Sequence, residues 1–433
     1  MPGDAMRHAD LHETTHVAYV AMVEHGRTTT PGWPVPVVAR TEAGLRVATL
    51  ERPGPVVAVR LTVGVGSRHG RARGGAHMHE HLIFRTREGS RARREIEALG
   101  GEVGATTTRE QTSIDAIVIP ADVPAALGAM ARLAAARPTL GDLDRERPVV
   151  QRELAHEAEE RRRIWQLLSE ALYGVDHPLA YPILGTLESL AAIGIDDLDQ
   201  VRDRWRAGNA ALAIVGPIEQ LAVLESAEAI LQANPGAAED ARDPRPEPVG
   251  RRHEERRSGL LHIACGWRFG GVDDDNLPAL RIAEIVLAHG SGSRLYDQLR
   301  TRRRLAYRVS TVLIPYRDSG FLAAVTACDP HHASQAEAAV IGEVERLASR
   351  GPTFPELEAA RRQLHGSLAR AYEVSRRLAG LAATQLLFDR LEPVDDLFAR
   401  IAACEPADIA SAASALVGPG QTHAIASIGR HPG

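Results

Sequence analysis

The segment Pro138-Thr139-Leu140, followed by Leu143, returns as Pro352-Thr353-Phe354, followed by Leu357, at an offset of 352 − 138 = 214 residues. Both copies open a charged, helix-like run with an acid, Asp142 or Glu356, near its start, where the helix dipole favours negative charge. A repeat on that scale reads as duplication of a whole domain. The chain's 433 residues exceed what one hydrophobic core usually supports, so two similarly folded halves are expected. The division falls between Ala233 and Gly259. There Asn234-Pro235-Gly236, Asp243-Pro244-Arg245-Pro246-Glu247-Pro248 and the charged Arg251 to Arg257 lack apolar periodicity and read as a surface linker. The expected organisation is a tail over 1–34, a first domain over 35–233, a linker over 234–258 and a second domain over 259–433.

Within the first half, Val56 to Val65 alternates and is rich in β-formers. Glu102 to Ile119 is a second strand region with a hairpin around Arg109-Glu110, and Leu212 to Gly216 closes the half as an apolar strand. Helices are predicted from Gly74-Gly75 towards Phe84, over Arg91 to Leu99 and over Leu127 to Ala136. A longer one, from Leu143 to about Leu172, carries Glu146, Glu153 and Glu157, with a kink expected at Pro148. Strands followed by grouped helices predict the α+β class: two homologous domains, each a largely antiparallel sheet with helices packed on it.

His77-Met78-His79-Glu80-His81 reads as H-x-x-E-H. Positions i, i+3 and i+4 of a helix share one face, so His77 and His81 converge with Glu80 beside them. Zinc held by two imidazoles and one further ligand keeps a position open for water. A glutamate alongside takes that water's proton and delivers it to the leaving amine. The pattern therefore predicts peptide hydrolysis as well as a metal. His79, at i+2, points elsewhere and is expected to pack or hydrogen-bond. Carried along by 214, His77, Glu80 and His81 become Ser291, Arg294 and Leu295, while Glu146 and Glu153 become Ala360 and Ser367. Only the first half carries metal chemistry.

A second pattern, His12-Glu13-Thr14-Thr15-His16, spells H-E-x-x-H. Its two threonines suit a helix interior poorly, it lies in a terminal stretch, and Glu24 is the first acid downstream. It reads as a coincidence within the tail.

Composition narrows the setting. A net charge of −5 makes no electrostatic case for nucleic acid or an anionic membrane surface. No long apolar run or signal peptide is read, and Cys265, Cys328 and Cys404 form no framework, which suits a reducing cytoplasm. Every basic residue is arginine, which excludes a lysine Schiff base and a Walker-type phosphate loop.

Taken together, these residues resemble the pitrilysin/insulinase superfamily of inverted-motif zinc metallopeptidases, in the branch of mitochondrial processing peptidase and its bacterial relatives. The likeness runs from about Val37 to the C-terminus. It rests on Gly75-Ala76-His77-Met78-His79-Glu80-His81, Gly100-Gly101-Glu102, Glu146 to Glu153, Leu184-Gly185-Thr186 and Asn209-Ala210 to Val215-Gly216. In the second half it rests on Ser293-Arg294-Leu295 to Arg300 and on Leu305-Ala306-Tyr307. The resemblance implies a third zinc ligand at Glu153, supported by Glu146 two turns earlier on the same helix face. Glu157, also on that face, is the local rival. The resemblance further implies a substrate laid as an added strand along Ala105 to Ile117, touching Gly104, Ala105 and Thr106. Arg300 and Tyr307 match a pair that binds substrate and steadies the developing oxyanion. Two departures stand out: Gly104 replaces an asparagine that holds the substrate backbone, and Arg304 replaces a glycine before Leu305.

Family members enclose peptides in a chamber of four such domains, so a dimer is implied. With the zinc set and the arginine–tyrosine pair on one chain it is a homodimer; a heterodimer with a related chain is the other arrangement. The expected activity is a zinc-dependent endopeptidase acting on short or unfolded peptides. A non-catalytic structural subunit, and a peptidase that removes leaders from ribosomally made peptide natural products, are the remaining readings.

Overall fold

The computed structural model describes residues 33–156, 160–237, 246–418 and 423–430. The tail pattern His12, Glu13 and His16, and the rival acid Glu157, lie outside the described residues.

The first half runs β1 (Val37–Arg40), β2 (Arg46–Glu51), β3 (Val57–Val63), α1 (Gly75–Ile83), α2 (Arg87–Ala98), β4 (Glu102–Thr107) and β5 (Thr112–Val118). It continues through α3 (Val123–Ala134), α4 (Leu140–His156), α5 (Glu160–Tyr173), α6 (Leu187–Ala192), α7 (Ile195–Asp203), β6 (Ala210–Gly216) and α8 (Gln220–Ala227). The second half runs β7 (Arg251–Glu255), β8 (Leu261–Phe269), α9 (Leu277–Ala288), α10 (Arg294–Tyr296) with a π-helical turn (Asp297–Arg302), β9 (Ala306–Pro315) and β10 (Gly320–Cys328). It ends with α11 (Ala333–Arg350), α12 (Phe354–Glu373), α13 (Ser375–Leu387), α14 (Val394–Ala403), α15 (Pro406–Val417) and β11 (Ala424–Gly429). No helix among the described residues is long and apolar enough to cross a membrane.

Two sheets form, ordered β1-β2-β6-β3-β5-β4 and β7-β11-β8-β10-β9. Apart from β1 the orders correspond strand for strand, and β6 and β11 start at Ala210 and Ala424, the same 214 residues apart. The pairs β2–β6 and β7–β11 are parallel and the other described pairs antiparallel, as the α+β reading expects.

Alternation along β6 shows how each sheet is buried on both faces. Leu212 and Ile214 point into a core with Ile96, Leu127, Met130 and Leu133 of α2 and α3. Ala211, Ala213 and Val215 point the other way, and α13 of the second half covers them through Leu378, Ala382, Ala383 and Leu386. The exchange is reciprocal. Ile164, Leu168 and Leu172 of α5 cover Ala264, Phe321, Ala323 and Ala424 of the second sheet. Small alanines on the strands let each donated helix lie close. A fully buried leucine contributes roughly 1.5–3 kcal/mol, so these helices bind the halves far more firmly than surface ion pairs, at about 0–1 kcal/mol each, could do.

One expectation gains detail and another changes. On either side of residues 157–159, the run from Leu143 to about Leu172 packs against different cores: α4 against α1 and α6, α5 against the second sheet. Periodicity reveals an apolar face but not which sheet that face will meet. Arg251–Glu255, read as linker, is the edge strand β7, bonded in parallel to β11. Its ladder is backbone, and charged side chains on an exposed edge need no apolar pattern.

The β4–β5 turn docks on the β9–β10 turn. Arg68 pairs with Glu110 and also with Asp318 at 2.9 Å, and Glu110 accepts the Arg317 N–H at 3.0 Å. The edge strands β4 and β9 are thereby held in one frame.

Candidate metal centre

The start of α1 is set by two left-handed glycines back to back. Gly74 (φ 89°) caps the helix, and a Cβ there would lie 2.7 Å from the Leu184 carbonyl oxygen. Gly185 (φ 79°) would meet the Arg73 carbonyl oxygen at 2.6 Å in the same way. Neither close approach tolerates a side chain, so the loop carrying Leu184-Gly185-Thr186 fixes where the helix begins.

From that start His77 and His81 share a face, their ring centroids 4.7 Å apart. Glu153 of α4 joins them, its carboxylate 3.7 Å from His77 Nε2 and 3.1 Å from His81 Nε2. One ligand atom from each of the three lies within 4.8 Å of the others. Burial, and then the neighbouring His81, push the His77 ring down to about 4, so it is neutral at neutral pH. His81 Nδ1 is 2.9 Å from Glu146 Oε1. With its Nδ1–H donated to a carboxylate, a neutral imidazole presents its lone pair at Nε2. His81 Nε2 and the Glu153 oxygen face each other at 3.1 Å, where a cation would draw on both. Two imidazoles and a carboxylate suit zinc by donor type.

Glu80 stands beside this set. Burial raises its carboxyl above the usual glutamate range, opposed by bonds from the Thr107 hydroxyl and backbone N–H and by His81. Its Oε2 is buried without a partner. His79 faces away, 5.1 Å from the Trp205 ring, with neither ring nitrogen hydrogen-bonded. It is thus packed, not bonded.

β4 is an edge strand, paired with β5 on one side through Gly104↔Asp115, Ala105↔Ile114 and Thr106↔Ser113. Its other side carries no strand among the described residues, and Thr107 at its end reaches Glu80. A Cβ on Gly104 would meet nothing within 4 Å, so glycine here is no packing requirement.

In the second half the corresponding ground is structural. Arg294, which aligns with Glu80, bonds Glu356 at 2.7 and 2.9 Å. That arginine, with Thr353, holds the Glu356 carboxyl down to about 2. Arg300 and Tyr307 do meet: the guanidinium lies 4.6 Å from the Tyr307 ring and 5.0 Å from that of Tyr296, and Tyr307 is 70% exposed. Thr107, Tyr296 and Arg85, which bonds Glu146 at 2.8 Å, were not singled out by the sequence. Only the i, i+4 spacings of Arg85 from His81 and of Tyr296 from Arg300 hinted at the last two.

The chain is similar to known proteins along most of its length. The profile for Insulinase (Peptidase family M16) matches residues 46–187, and that for the Peptidase M16 inactive domain matches 193–364. An uncharacterised zinc protease of Streptomyces coelicolor is 27% identical over 418 residues, 91% of this chain and 89% of that protein. Subunit 1 of the mitochondrial cytochrome b-c1 complex of Bos taurus is 26% identical over 313 residues, 67% of this chain and 65% of the relative. The crystal structure of a protease from Helicobacter pylori shares the fold, with a TM-score of 0.82 over 92% of this chain and 100% of that one, at 19% identity.

Proposed function

We propose, for a chain that belongs to the insulinase family of M16 peptidases, that it is a zinc-dependent endopeptidase with His77, His81 and Glu153 as metal ligands. The observation that carries this reading is the convergence of those three side chains beside a half-buried Glu80 whose Oε2 is enclosed without a partner. Zinc bound there supplies a Lewis acid that polarises a water and the scissile carbonyl. Glu80 takes the proton of the attacking water and hands it to the leaving amine. Its burial suits that task, because a base must bind the proton well enough to carry it. Thr107 holds one side of the Glu80 carboxylate, and Glu146 holds His81 in the tautomer a ligand needs.

The open side of β4 favours a peptide that can lie extended along Gly104, Ala105 and Thr106, hence short or unfolded segments. Arg300 and Tyr307, exposed on the second half, bind substrate and steady the oxyanion for a second copy of the chain. A homodimer follows, each site drawing on both chains. The likeness to a subunit of a larger complex favours, as a second arrangement, a related partner chain.

The test joins metal content to turnover on a peptide library. His81→Ala should lose both zinc and activity. Glu80→Gln should keep zinc and lose activity about 100-fold or more. Full turnover in zinc-loaded Glu80→Gln would sink the general-base role. Co-refolding Glu80→Gln with Arg300→Ala/Tyr307→Phe should restore about a quarter of wild-type sites, since half the dimers are mixed and each has one intact site. Mixed dimers without activity would overturn the shared site.

A further inference from the structure

The chain turns sharply after α1, and the turn is rigid. The Arg85 N–H donates to the Leu82 carbonyl at 2.9 Å, and the Ser90 hydroxyl donates to that of Phe84 at 2.8 Å. Thr86 then caps α2 by accepting the Gly89 N–H at 2.9 Å. A Cβ on Gly89 would lie 1.7 Å from the Ile83 carbonyl oxygen, so only glycine closes this corner. Arg85, four residues after His81, is aimed back along the His81 face. Its Nε donates to Glu146 Oε2 at 2.8 Å, while Oε1 of the same carboxylate meets His81 Nδ1 at 2.9 Å. Glu146 itself is buried.

We propose that Arg85 is a positioning residue of the metal centre. It fixes the Glu146 carboxylate, so that His81 Nε2 points at the place shared with His77 and Glu153. The inference rests on the reading of those three as zinc ligands. The terminal torsion of a glutamate is soft, and one bond to His81 leaves the carboxylate free to swing about it. A second, charge-assisted bond on the other oxygen removes that freedom. The Arg85 side chain is half exposed but the Glu146 carboxylate it meets is buried, so losing the arginine costs some stability as well as ligand orientation. Zinc affinity of the folded chain reads the second separately from the first.

The zinc dissociation constant of the full chain, read by competition with a chromophoric chelator, tests this. Wild type is compared with Arg85→Ala, Arg85→Lys, Glu146→Gln and the double variant Arg85→Ala/Glu146→Gln, with thermal unfolding of each zinc-free protein alongside. Glu146→Gln should weaken zinc binding about 10- to 100-fold. Arg85→Ala, one bond further out, should weaken it roughly threefold to tenfold. Arg85→Lys should recover part of that loss. In the Glu146→Gln background Arg85→Ala should change affinity less than about twofold, because the two act through one contact. Each zinc-free variant should unfold well above the temperature of the binding measurement, so that affinity is read on folded protein, and Arg85→Lys should unfold nearest to wild type. Unchanged affinity in Arg85→Ala, or an equal loss in both backgrounds, overturns the inference while leaving the ligand set intact. If His81→Ala binds zinc as wild type does, the ligand reading itself has failed.

Discussion

His79 shows how a residue inside a motif can have a different task from its neighbours. It sits between two candidate ligands, yet its ring is buried against Trp205 with both nitrogens unpartnered. Burial, and then Arg202, push it from 6.5 down to about 3. Below 6.5 the unfolded chain takes up a proton that the folded ring refuses, so stability falls as pH drops from 6.5 towards 3. Such a ring contributes up to about 1.4 kcal/mol per pH unit inside that window. His79→Leu, similar in volume and without the nitrogens, should make the zinc-free protein lose less stability between pH 7.5 and 5.5 in urea unfolding. Equal losses in the two proteins would rule out a neutral buried His79. The motif showed which way this side chain points, but not that Trp205, 126 positions along (205 − 79), would receive it.

Among the elements, the junction between the π-helical turn and β9 shows what the departure at Arg304 costs. That residue has φ 54°, in the left-handed region, and the following Leu305 N–H reaches back to the Leu299 carbonyl at 2.7 Å. A glycine, which the family resemblance leads one to expect here, takes such a conformation without strain. Left-handed backbone costs a residue with a Cβ about 1–2 kcal/mol, and glycine's freedom in the unfolded chain returns roughly 0.4–1 kcal/mol of that. Arg304→Gly should therefore stabilise the protein by about 0–1.6 kcal/mol in chemical denaturation. A clear loss of stability would show that Arg304 makes a contact worth more than its strain. α1 was legible because its motif, glycines and apolar face agree; β7 was not, because an edge strand of charged residues carries no period to read.

At the scale of the molecule, the exchange of α5 and α13 makes the two halves interdependent. Either half alone would leave one face of its sheet bare and its own donated helix without a partner. Leu168, Leu172, Leu378 and Leu387 are fully buried in those contacts. At about 1.5–3 kcal/mol each, their loss rivals the roughly 5–15 kcal/mol that stabilises a whole domain. Residues 1–237 and 246–433, produced separately, should each fail to unfold cooperatively, and mixing them should restore a cooperative transition seen by circular dichroism. Two halves that each melt as the intact chain does would refute this interdependence.

Local geometry was enough to show, from sequence, that His77 and His81 converge beside Glu80, because residues three and four apart must share a helix face. The 214-residue repeat, likewise, showed that the fold is duplicated and which copy carries the candidate ligands. Glu153 needed the family resemblance, since Glu157 has an equal claim on the same helix face. Tertiary structure alone decided that Thr107 reaches Glu80, that Arg85 closes on Glu146 and that each sheet takes its cover from the opposite half. Periodicity records which faces avoid water; which faces meet across tens or hundreds of residues is settled only when the whole chain packs.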